Sequence, residues 1–124
     1  MAESYITWMK RAESSLALGL VAKTDEIFYE DLCFQLQQAV EKAMKALLVY
    51  NDIEPPSTHS FAVLLRELKK TIAVPERIAR AIELEDYAVQ TRYPGDYTPV
   101  DESEYWEASK VAMMAMSWIR SEIK

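Results

Sequence analysis

The stretch IFYEDLCFQLQQAVEKAMKALLVY, residues 27–50, decides the fold. Leu32, Leu36, Ala39, Ala43, Leu47 and Tyr50 recur at three- and four-residue spacing, which collects them on one side of an α-helix. Gln37, Gln38, Glu41, Lys42 and Lys45 form its polar side, with Glu41 ahead of Lys45 in the favourable order for a helical ion pair. Asn51-Asp52 and then Pro55-Pro56 end this helix, because proline lacks the amide donor and disfavours α geometry in the residue before it.

Working outward, Tyr5, Met9, Ala12, Leu16 and Leu20 predict a first helix over residues 2–22. Gly19 weakens its last turns, and Thr24-Asp25 offers caps for the helix that follows. On the other side, Ser57 or Thr58 can cap a third helix over residues 59–71, with Phe61, Leu64, Leu65, Leu68 and Ile72 as its stripe. Pro75 fits the first turn of a fourth, in which Ile78, Ile82 and the run from Leu84 to Val89 continue the apolar pattern less regularly. Pro94, Gly95 and Pro99 break residues 91–100 into a loop, and Asp101 followed by Glu104 resembles a capping box for a last helix running to Ile123. No segment alternates apolar and polar residues as a strand does. The expected architecture is all-α, a bundle of about five helices forming one domain over residues 1–124.

Composition narrows the function classes. A chain of 124 residues with a 50% hydrophobic fraction can bury a core, and 2 glycines are too few for a fold of many tight turns. The formal net charge of −6 repels phosphate backbones and anionic membranes except at a local basic patch. Charged residues interrupt every apolar run, so no membrane span is expected. With one cysteine and no cationic-then-apolar start, the expected location is cytoplasmic.

Two helices carry more apolar surface than one face can bury. On the last, Tyr105, Ala112, Met116, Ile119 and Ile123 make one stripe, and Val111, Met114 and Trp118 make a second on nearly the opposite side. On the second helix Phe34 projects among the polar residues. Either the last helix lies centrally and Phe34 is a tolerated surface aromatic, or Phe34, Met114 and Trp118 face another subunit, most simply in a homodimer.

Catalytic chemistry has few carriers. Nucleophilic catalysis would rest on His59, the one histidine, and Cys33 lies among helical apolar residues as a small buried hydrophobe would. His59 has no second ligand type at metal-site spacing, and Glu83, Glu85 and Asp86 point in different directions on a helix, so neither a metal nor a cofactor is expected. The common nucleotide and zinc motifs are absent. The remaining constellation is Arg92-Tyr93-Pro94-Gly95-Asp96-Tyr97, a guanidinium fork and two aromatic rings on a constrained backbone. It has two readings: a phosphate or base contact, or a structural turn in which Arg92 pairs with Asp86 or Asp96.

The run from Phe34 to Leu48, Pro55-Pro56, Thr58-His59 opening a helix, and Arg92-Tyr93-Pro94 before a long last helix together resemble the HEPN domain family. The resemblance covers the chain from Tyr5 to Ile123 and implies an up-and-down bundle of five helices. It also implies a small cytosolic protein that dimerises and is paired with a minimal nucleotidyltransferase in a two-component, sometimes toxin-antitoxin, system. Many members are metal-independent RNases with an arginine, then four to six intervening residues, then a histidine. Arg92 matches the arginine, but the histidine positions hold Tyr97, Thr98 and Pro99, none of which replaces an imidazole as a proton carrier near neutrality. The expected function is therefore a non-catalytic module in which Arg92, Tyr93 and Tyr97 bind a nucleotide or RNA. Two alternatives stay open: a divergent RNase using Arg92 with His59, and a purely structural partner subunit.

Overall fold

A computed structural model describes residues 4–88 and 98–124, and three of its helices begin where a side-chain oxygen accepts an otherwise orphaned amide hydrogen. Ser4 accepts from Thr7 N at 3.2 Å to start α1, Tyr5–Gly19. Ser60 accepts from Val63 N at 3.3 Å to start α3, Phe61–Lys69. Asp101 accepts from Glu104 N at 2.8 Å to start α4, Glu102–Glu122. Helix α2, Tyr29–Tyr50, has no side-chain cap but carries Glu30 and Asp31 in its first turn, where negative charge suits the helix dipole. It ends in paired bonds, Ile53 N to Leu48 O at 2.9 Å and Asp52 N to Val49 O at 3.0 Å, closed by Asp52 at a positive φ of 60°.

The cap of α3 corrects the expectation of Ser57 or Thr58. Thr58 Oγ1 instead accepts from Ser60 N at 3.0 Å, a local turn that holds the chain extended through Ser60 and delays the helix to Phe61. His59 is thereby left in the approach to the helix, able to turn back toward α2.

The predicted fourth helix, Glu76–Ala88, is 3₁₀ rather than α. Its buried residues, Ile78, Ala81 and Leu84, recur every third position, the period that stacks side chains on a three-residue turn. A period of three leaves Ile82 outside the stripe, and it is 41% exposed. The irregular apolar pattern of this segment is thus regular once the period is changed.

Helix α2 lies at the centre, packed against α1, α3, α4 and the 3₁₀ helix. Leu36, Ala39, Ala43, Met44, Leu47 and Leu48 are fully buried, and so is Gln37 on the side expected to face water, with Glu41 only 4% exposed. The two stripes of α4 are both covered by the chain itself: Tyr105, Ala112, Met116 and Ile119 are buried on one, Val111 and Trp118 on the other. The described residues form five helices and no strand, the all-α bundle expected. No described helix is long and apolar enough to cross a membrane.

Gly19 is explained by close approach. A Cβ there would stand 2.7 Å from Leu36 Cδ2 and 3.2 Å from the Leu32 carbonyl oxygen, so glycine lets α1 settle against α2. Tyr105 fixes the same point by donating its hydroxyl hydrogen to Gly19 O at 2.7 Å. Gly19→Val is expected to lower the unfolding free energy by about 2–3 kcal/mol, from overpacking against the buried Leu36 side chain and the Leu32 carbonyl oxygen. Urea unfolding of the two proteins measures it, with Leu18→Val, at a 51% exposed position, as control.

Candidate functional site

The polar residues buried on α2 find their partners in one cluster. Gln37, Glu41 and Lys45 are spaced so that each lies one turn above the last. Gln37 Nε2 donates to Glu41 Oε1 at 2.9 Å and Lys45 Nζ donates to Glu41 Oε2 at 3.2 Å. The third partner arrives from the approach to α3, where His59 Nδ1 lies 2.8 Å from Glu41 Oε1. Lys45 is also 5.7 Å above the ring of Trp8 on α1, within range of a cation–π contact.

The two ends of the His59–Glu41 bond differ sharply in environment. The Glu41 side chain is 6% exposed and the His59 side chain 70% exposed. A carboxylate already accepting from an ammonium and an amide accepts from the ring as well, so Nδ1 donates and Nε2 is the nitrogen left for a solute. An imidazole oriented in this way by a buried carboxylate has the geometry of a proton carrier. Position in sequence had pointed to His59 but not to Glu41, which the polar pattern of α2 placed in water. The legible signal was the i,i+4 spacing of Gln37, Glu41 and Lys45, with no hint of what would cover them.

Of the other residues singled out in the sequence, Arg92, Tyr93 and Tyr97 lie outside the described residues. Phe34 and Met114 are half-buried, and Trp118 is 7% exposed, so packing within the chain already covers most of its surface. Glu85, one of the three acidic residues expected to point in different directions, accepts from Phe61 N at 2.7 Å and ties the 3₁₀ helix to the start of α3. Among the described residues no group of three or more His, Cys, Asp or Glu side chains is placed to hold a metal ion.

Cys33 is fully buried, and burial first, then the negative charges of Glu104 and Glu30, push its thiol up to about 12 from an ordinary 9.0. Tyr87 is pushed up by burial and by its hydrogen bond to Glu104, and Tyr105 by burial. A raised folded-state value means the fold prefers the neutral form. The stability linked to Cys33 is therefore fully present below pH 9.0 and is lost as pH climbs toward about 12. Unfolding free energy should be flat from pH 7 to 8.5 and fall above about pH 9, less steeply in Cys33→Ala, as chemical denaturation across that range would record. At pH 8 a thiol reagent should label the native chain at least about a hundredfold more slowly than the unfolded one.

Comparison with known proteins gives a consistent result. The HEPN domain family model matches residues 5–122. The crystal structure of ST0689, an archaeal HEPN homologue, superposes with a TM-score of 0.79 at 31% identity, covering 99% of this chain and 100% of that one. TT1696 from Thermus thermophilus does so with a TM-score of 0.77 at 28% identity, covering 95% and 97% respectively. No curated protein shows a significant match.

Proposed function

Since the chain belongs to the HEPN domain family, we propose that it is a non-catalytic module of that family that binds a nucleotide or RNA phosphate through Arg92, Tyr93 and Tyr97. One observation carries this reading: Tyr97, Thr98 and Pro99 occupy the positions, separated from Arg92 by four to six intervening residues, where the RNases of the family have histidine. A guanidinium recognises phosphate by paired hydrogen bonds and the tyrosine rings supply stacking surface, and neither contact needs a proton carrier. The module acts as a homodimer or beside a minimal nucleotidyltransferase. Phe34 and Met114, which keep part of their surface exposed, are candidate contacts.

A second reading has a specific observation in its favour, the bond between buried Glu41 and exposed His59. Under it His59 Nε2 accepts the proton of a ribose 2′-hydroxyl, the 2′-oxygen attacks the adjacent phosphorus, and the 5′-oxygen leaves while Arg92 offsets the phosphate charge.

A cleavage assay on single-stranded RNA, run beside thermal unfolding with ATP or GTP, separates the two. The binding reading expects no cleavage, and a rise in unfolding temperature that Arg92→Ala abolishes. Cleavage that disappears in both Arg92→Ala and His59→Ala would replace it with the RNase. Neither protection nor cleavage would leave the structural partner subunit, for which sizing by light scattering with and without the nucleotidyltransferase is the direct measurement.

A further inference from the structure

We propose that the groove between the α1–α2 connection and the first turns of α4 receives an arginine or lysine side chain of a partner protein, presented between apolar residues. The groove encloses about 280 Å³ and is lined by Val21, Lys23, Tyr29, Glu102, Tyr105 and Trp106 among others. Its aromatic residues form a continuous series, with centroids 5.3 Å apart from Tyr29 to Tyr105 and 5.4 Å from Tyr105 to Trp106. Such faces attract cations, and one is already there: Lys23 Nζ stands 4.8 Å from the centroid of Tyr29. The chain's own ammonium shows what chemistry the ring accepts and marks the place that a partner's cation would take over.

Charge and exposure agree with that occupant. Glu102 stands at the groove and accepts from Trp106 Nε1 at 3.3 Å, and Asp101 precedes it at the cap of α4. The negative field of both carboxylates reaches Tyr29, whose acidity is lowered by burial first and then by Glu102 and Asp101. The chain as a whole carries −6, which steers basic partners toward it and disfavours an anionic ligand at this face. Leu20 is 40% exposed, Val21 42% and Trp106 52%, leaving apolar surface for the residues that flank the cation. This surface is separate from His59 and Glu41 and does not depend on the nucleotide reading.

The test uses the full ¹⁵N-labelled chain and a synthetic peptide, acetyl-Gly-Leu-Arg-Gly-Leu-Arg-Gly-amide, with the same peptide carrying citrulline in place of arginine as the neutral control. The expected result is a saturable shift of the Trp106 indole N–H resonance with the arginine peptide. Binding should weaken about three- to thirtyfold in Glu102→Gln and in Trp106→Ala, followed in the latter by the backbone amide resonances of Lys23 and Tyr29. It should tighten at least about threefold in Lys23→Ala, which removes the internal competitor. All three positions are exposed, and unchanged circular dichroism would confirm that the variants fold. Equal binding of the citrulline peptide, weaker binding to Lys23→Ala, or a Trp106 resonance that shifts with protein concentration alone would each overturn the proposal, the last by making a second copy of this chain the occupant.

Discussion

Phe61→Ala should lower the unfolding free energy by about 3–5 kcal/mol, the range for deleting a buried phenylalanine. Phe61 is fully buried and is the first residue of α3, so it joins two kinds of restraint at one position. Its ring fills the core where α3 meets α2 and the 3₁₀ helix, and its amide is held by Glu85 Oε1 at 2.7 Å. Alanine keeps the backbone bond and leaves a cavity that a rigid α2 cannot close. For a domain of this size the loss is a large part of the total, and the melting temperature should fall by roughly 10–20 °C. Phe28→Ala, at a residue 67% exposed, should stay within about 0.5 kcal/mol of the parent. Urea or thermal unfolding of both variants checks the pair, and comparable losses would show that Phe61 does not hold the joint described.

The second large effect is expected at Glu41. Glu41→Ala removes the acceptor shared by Gln37, Lys45 and His59. Gln37 is fully buried and then has an amide without that partner, and the Lys45 side chain, 11% exposed, loses its counter-charge. Stranded polar groups of this kind cost more than the bonds themselves were worth, so the expected loss is about 2–4 kcal/mol. His59, exposed to solvent, contributes little to that figure but loses its orientation. Glu41→Gln keeps the shape and one acceptor oxygen and should lose about 1–2 kcal/mol. If chain cleavage of RNA is observed, Glu41→Gln should reduce it while leaving nucleotide protection intact. A Glu41→Ala variant as stable as the parent would mean that water replaces the carboxylate without penalty, and the cluster would then have no structural weight.

Much of the fold was legible because helical periodicity and caps are local. The stripe of α2, the end of that helix at Asn51-Asp52, and the Asp101 and Glu104 start of α4 depend on residues within a few turns of each other. Errors began where two local rules compete. Thr58 and Ser60 can both cap, and the outcome turned on Thr58 spending its oxygen on Ser60 N. The segment Glu76–Ala88 can be read at a period of three or nearly four, and the core it meets selected three.

By itself the sequence determined the helical class, the order of the helices, the family resemblance and the absence of histidine after Arg92, all properties of spacing along the chain. Only the tertiary structure decided which helix is central, since α2 and α4 both carry surplus apolar surface and their rank depends on what packs around them. It alone joined Glu41 to His59, 18 positions apart, because the late start of α3 turns the imidazole back onto α2. It alone set Lys23 over Tyr29 beside Trp106, bringing the end of α1 against the start of α4. Periodicity names the face of each helix that seeks cover, and the packing of one helix on another decides what the cover is.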